Sequence, residues 1–167
     1  MKNLLRKNMP KLFLTAFLGI LSSSCATADT DLNKILTAAN DVVNNATKVE
    51  VAKLKPAAAE SVMKNALSAP NTIAGFPLKG ELKLLSVEKA KAIAQDILNS
   101  AHYADIMQRC VNDSLIGIRF TKGNTVVEFA YSQPCQQAFW AMNIDGKLNF
   151  ASSVLGPDYG KAIINLF

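Results

Sequence analysis

His102 is the only histidine in the 167-residue chain, and the cysteines are Cys25, Cys110 and Cys135. A closed zinc site needs about four nitrogen or sulfur donors. One histidine and two well-separated cysteines do not supply them unless carboxylates fill in, so neither a metal nor another cofactor is expected. As a catalytic base, His102 would need a nucleophile and an orienting acid within hydrogen-bond reach. Asp105, Asp113 and Glu128 are the carboxylates a hydrolase would draw on. The alternative role for His102 is to complement the negative end of the helix that precedes it. Gly75, Gly80, Gly117, Gly123 and Gly146 are scattered singly, and none sits in the spacing of a phosphate-binding loop.

Glu128 alternates with Val127 and Phe129 and therefore points to the other side of its strand. That side is expected to be solvated, as in sheets with one covered face. Arg119 shares the parity of Gly117 on the neighbouring strand, which predicts a cross-strand Arg119–Glu128 pair. Phe139 and Trp140 are adjacent on a third strand and must face opposite sides. If Trp140 is the outer one, it joins Arg119 and Glu128 as a candidate binding face.

The elements that must hold these residues follow from periodicity. From Leu32 to Val49, apolar residues recur at three- and four-residue steps, which predicts a helix capped by Thr30 and closed by Lys55 ahead of Pro56. Pro56 opens a shorter helix with Val62, Met63, Ala66 and Leu67 on its apolar side. Residues 71–80 read as an irregular but apolar connector that packs through Ile73, Phe76 and Leu78. Ser86 caps a helix with the stripe Val87, Ala90, Ile93, Ala94, Ile97, Leu98 and Ala101. Four strands follow, from Leu115, Thr125, Gln137 and Lys147, with Asp145-Gly146 as a tight-hairpin signal. Pro157 opens a last helix to Leu166. The expected fold class is α+β: N-terminal helices, then a helix and a four-stranded antiparallel sheet closed by a C-terminal helix. The expected divisions are 1–28, a helical segment 29–70, a connector 71–85 and an α+β domain 86–167.

The segment Met1–Ala28 has the layout of a secretory signal. Lys2, Arg6, Lys7 and Lys11 form a positive head, and the apolar run Leu12–Leu21 is only ten residues long, too short to span a bilayer. Ala26-Thr27-Ala28 offers small residues at the spacing for cleavage, so a mature chain starting at Asp29 is expected. Leu21-Ser22-Ser23-Ser24-Cys25 resembles the lipobox of bacterial lipoproteins, with the leucine one position too far from the cysteine; a chain starting at lipidated Cys25 is the alternative to its removal with the leader. Four of the 18 basic residues lie in the leader, leaving 14 against 13 acidic ones, a net charge of +1. The pI of about 9.2 is thus largely a targeting signal and gives no support to nucleic-acid binding. Outside the leader, Cys110 and Cys135 form one pair, which in an oxidising compartment reads as a disulfide.

With the capped helix, Cys110, Gly117-Ile118-Arg119-Phe120, Val126-Val127-Glu128-Phe129, Cys135 and a closing helix, the stretch 85–167 resembles small exported bacterial proteins with a paired-cysteine helix-plus-sheet domain. That group has no assigned activity, so the resemblance implies compartment and fold only. Where such proteins carry further cysteines beside the second one, this chain has Gln136 and Gln137. Two readings of function follow. One is an exported, non-catalytic envelope module that binds a partner protein, a peptide or a cell-wall component. The other is a small periplasmic hydrolase using a carboxylate with His102. The expected location is periplasmic or secreted, with membrane association only if Cys25 is lipidated; oligomeric state is left open.

Overall fold

The computed structural model describes residues 27–104 and 110–167. Residues 1–26 of the predicted leader, with Cys25, and Asp105 lie outside the described residues. In chain order the elements are α1 (Thr27–Asn44), β1 (Lys48–Leu54), α2 (Ala59–Asn65), β2 (Thr72–Ile73), β3 (Phe76–Pro77), β4 (Lys83–Leu84), α3 (Val87–Ile97), β5 (Tyr103–Ala104), β6 (Leu115–Lys122), β7 (Thr125–Ser132), β8 (Gln137–Ile144), β9 (Lys147–Leu155) and α4 (Lys161–Ile164). A 3-10 turn, Ser100–His102, links α3 to β5.

The class is α+β, but the sheet has seven antiparallel strands rather than four, in the order β4-β1-β6-β7-β8-β9-β5. The main addition is β1, which lies where helix was expected. The first helix begins at Thr27, so Thr30 is inside it rather than capping it, and it ends at Asn44. There the Asn44 and Asn45 side chains turn back onto Asn40 and Asp41. Beyond that point the chain is extended. Val49 and Val51 are buried on one side of the strand and Ala52 and Leu54 on the other, while Lys48 and Lys53 are exposed, the arrangement of alternating side chains in a strand covered on both faces. β1 pairs with β6 along its whole length, from Lys48–Thr121 to Leu54–Leu115. The supposed helical segment 29–70 and the region 86–167 therefore share one sheet. The remaining additions, β4 and β5, are two-residue edge strands.

Both sheet faces are covered, which overturns the expectation of one wet face. On one side Val51, Ile118, Phe129 and Trp140 form a cross-strand row beneath α1 and α3, which contribute Ile35, Leu36, Ala39, Ile93 and Ile97. On the other side Leu54, Ala130, Phe139 and Ala141 meet Val62 and Ala66 of α2 and Ile73, Ala74 and Phe76 of the β2–β3 hairpin. The apolar connector packs as expected, but onto the face assigned to solvent, and it does so as a hairpin. Met63, counted in the apolar stripe of α2, is exposed.

Ser86 caps α3 as expected, its hydroxyl accepting from the Lys89 amide. Asp145 and Gly146 both take positive φ, 53° and 74°, as a two-residue hairpin of this type requires. The closing helix is a single turn, Lys161–Ile164, rather than Pro157–Leu166. Residues 157–160 instead form a turn in which the Tyr159 amide bonds the Gly156 carbonyl.

Cys110 and Cys135 are joined, with Cα atoms 5.6 Å apart. The bridge fixes the segment before β6 to the β7–β8 turn. Since β6 lies between β1 and β7, the disulfide closes the middle of the sheet and does not tie in an edge. The sequence separation of 25 corresponds to roughly 3 kcal/mol in the chain-entropy account. Reduction is expected to lower the urea midpoint without changing the near-UV spectrum of Trp140 at neutral pH and room temperature; loss of that spectrum would make the bridge a condition of folding.

Tyr103 anchors the β5 edge. Its hydroxyl donates to the Ile97 carbonyl and accepts from Trp140 Nε1, and burial drives its phenol well above the usual range, so it stays neutral. Tyr103→Phe leaves both partners without their bonds and is expected to cost about 1–3 kcal/mol, read as a lower midpoint in chemical denaturation.

Candidate functional site

The predicted Arg119–Glu128 pair forms, in the register Arg119 opposite Glu128. Arg119 Nε and Nη2 lie 2.9 and 2.7 Å from Glu128 Oε1. Instead of standing on a wet surface, the carboxylate is almost fully buried, its side chain 2% exposed against 14% for arginine. Such a charge persists inside a protein only with its acceptor sites filled. Glu128 Oε2 accepts the Ala74 amide at 2.7 Å, and Arg119 Nη2 also donates to the Thr72 carbonyl. The pair thus holds the β2–β3 hairpin, at its first arm and its turn, against the centre of the sheet.

What it holds is a tight turn. Ala74 and Gly75 carry φ of 47° and 82°, and a left-handed alanine costs about 1–2 kcal/mol. The bond from the Ala74 amide to a buried carboxylate offsets that cost. Beside the turn, α2 comes so close that a Cβ on Gly75 would stand 1.9 Å from the Val62 carbonyl oxygen.

Above the pair lies an open cleft of about 510 Å3. Its floor includes Arg119 and Glu128. Leu67, Ser68 and Pro70, from the loop after α2, form one wall, and Asn124, Thr125 and Asn143 form the other. Leu67 is itself left-handed, with φ of 56°, a conformation that carries strain for a branched side chain. Among the described residues, Arg119 Nη1 makes no hydrogen bond, so the guanidinium that latches the hairpin retains two donor hydrogens.

The other sequence candidates lie elsewhere. Trp140 is fully buried on the opposite side of the sheet, edge-on to Phe129 with centroids 4.8 Å apart. It cannot belong to a binding face with Arg119 and Glu128; its partner in the alternation, Phe139, is the one on their side. His102 does meet the negative end of the preceding helix, but from outside it, since α3 stops at Ile97 and His102 belongs to the 3-10 turn. Asn99 Oδ1 accepts the Ala101 amide, so the Asn99 amide nitrogen faces His102 Nε2 at 3.0 Å. Nε2 is then the acceptor, and Nδ1 carries the proton and donates to the Asp96 carbonyl at 2.8 Å. The ring stacks on Tyr159 with centroids 3.4 Å apart. With its lone pair occupied, His102 is placed as a corner piece. It adjoins β5, three strands from β7, which puts it at least about 14 Å from Glu128 at ordinary strand spacing. The cleft above Glu128 is not lined by His102. Asp113 lines a different hollow, and among the described residues no group of three or more His, Cys, Asp or Glu is arranged to hold a metal ion.

In comparisons with family models, curated proteins and solved structures, none matches this chain.

Proposed function

We propose that this is an exported, non-catalytic envelope protein that binds its ligand in the cleft above the Arg119–Glu128 pair. The observation that carries the reading is the guanidinium at the cleft floor: it is fixed by Glu128 and the Thr72 carbonyl, and Nη1 is free among the described residues. A donor held in place by its neighbours binds at lower entropic cost than a mobile one. Because Glu128 already neutralises Arg119, the cleft suits an uncharged acceptor such as a peptide carbonyl or a cell-wall amide. Asn124, Thr125 and Asn143 add polar groups, and Leu67 and Pro70 add apolar wall, the mixture usual for small-ligand sites. Export is supported by the Cys110–Cys135 bridge and by the leader-like segment Met1–Ala28; among the described residues no helix is long and apolar enough to cross a membrane. The hydrolase alternative lacks a mechanism for His102 and Glu128 at their separation.

Two measurements test the proposal. Intact mass from soluble and membrane envelope fractions is expected to show a soluble chain starting at Asp29 that gains two mass units on reduction; a lipidated Cys25 would replace the soluble form with a tethered one. Titration of the labelled protein with peptide and cell-wall fragments is expected to shift the resonances of Arg119, Asn124 and Asn143 together. Shifts confined to other surfaces would remove the cleft from the reading.

A further inference from the structure

The segments 78–79 and β4, which flank β1 at one end of the sheet, bring together lysines that are apart in sequence. Leu54 bridges Leu78, and the Lys79 amide bonds the Lys53 carbonyl, so Lys53 and Lys79 stand opposite each other. Lys83 pairs with Val51 and so shares the side of Lys53; Lys55 follows two residues further on. All four are exposed, and among the described residues none is in an ion pair. The acids nearest in sequence and space do not change this: Glu81 is exposed between Lys79 and Lys83, and Asp113 lines the same hollow as Lys53 and Lys79, yet neither forms an ion pair with them.

Like charges placed directly opposite across a strand pair oppose folding. Lys53 Nζ and Lys83 Nζ lie 5.3 and 5.5 Å from the centroid of one ring, that of Phe167. The ring attracts both ammonium groups but does not neutralise them. Phe167 is itself 43% exposed. Clustered cations around an exposed aromatic ring have the composition of a surface that lies on an anionic bilayer, with ammonium groups at the phosphates and the ring at the acyl boundary.

We propose that Lys53, Lys55, Lys79 and Lys83, with Phe167, form a docking surface for anionic phospholipid headgroups. This surface is separate from the cleft and does not depend on lipid attachment at Cys25. The test uses the full chain carrying Cys25→Ser, exported and purified, with vesicles of phosphatidylglycerol and phosphatidylcholine compared against phosphatidylcholine alone. Preferential binding to the anionic vesicles, suppressed by high salt, is expected. Lys53→Gln with Lys83→Gln is expected to weaken that binding about 25-fold, taking about fivefold per lysine, while Lys53→Arg with Lys83→Arg retains it. Equal binding to both vesicles, or no change in the glutamine variant, would overturn the proposal. Binding of inorganic phosphate at these lysines without vesicle binding would overturn the lipid as its source. Aggregation of the glutamine variant, when the parent protein binds neither vesicle, would likewise overturn it and identify the lysines as guards of the sheet edge.

Discussion

Glu128→Ala is expected to destabilise the protein by about 3–5 kcal/mol, the cost of stranding a buried partner charge. The substitution leaves the largely buried Arg119 guanidinium without its counter-ion and removes the acceptor of the Ala74 amide. Arg119→Ala is expected to be comparably severe, because it leaves a carboxylate that is 2% exposed. The two losses are expected not to add: the double variant should be less destabilised than the sum of the single ones, since neither charge is then left alone. Urea unfolding of all four proteins gives the coupling energy directly. Additive losses would mean that the pair is replaceable by solvent in the cleft. A second readout separates latch from bulk stability: hydrogen exchange at Ala74 and Phe76 is expected to accelerate in Glu128→Ala more than exchange in β8.

Gly75→Ala is expected to damage the same region by a different route. Its φ of 82° is unfavourable for alanine, and the new methyl group would meet the Val62 carbonyl at 1.9 Å and the Val62 Cα at 2.9 Å. Both contacts are backbone, so rotation of a side chain cannot relieve them. Either the hairpin or α2 has to lift from the sheet. Overpacking of this kind costs about 1–3 kcal/mol, and the left-handed conformation adds roughly 1 kcal/mol more. The check is denaturant unfolding of Gly75→Ala beside Gly123→Ala, which also has a positive φ but has open space around its Cβ. A larger loss at Gly75 assigns the difference to the clash; equal losses would reduce both to backbone strain.

The parts legible in sequence are those carried by long periodic runs or by turn chemistry. The Ser86 cap, the stripe Ala90-Ile93-Ala94-Ile97, the strand cores from Leu115 to Ile144 and the Asp145-Gly146 turn all appear where the residues place them. The Arg119–Glu128 pairing is also readable, because the short Lys122–Thr125 connection fixes the register. β1 is obscured because Val42, Val43, Ala46 and Val49 continue a helical spacing across the Asn44-Asn45 turn, so Val49 fits both patterns. The two-residue strands β2 to β5 are too short to have a period at all. The hairpin has the largest consequence for the site: with residues 71–80 treated as a loop, nothing covers the Glu128 side, and a buried latch reads as an open surface. Trp140 falls on a candidate outer face for a related reason: alternation shows that Phe139 and Trp140 oppose each other, but not which side the longer helices take.

The position of β1 also has a consequence for the order of events in folding. The whole of β1 is hydrogen-bonded to β6, which the ribosome delivers only after α2, the β2–β3 hairpin and α3. During synthesis the chain up to Leu54 therefore has no central strand to join, and the sheet cannot close until Leu115–Lys122 is available. Pairing at such separation is intrinsically slow, because loop closure precedes the contacts that reward it. Cys135 lies later still, so the bridge to Cys110 secures a sheet whose N-terminal strand has had to wait. Closure of the sheet is thus the business of the C-terminal half of the chain, and the N-terminal half supplies a strand that only that half can pair.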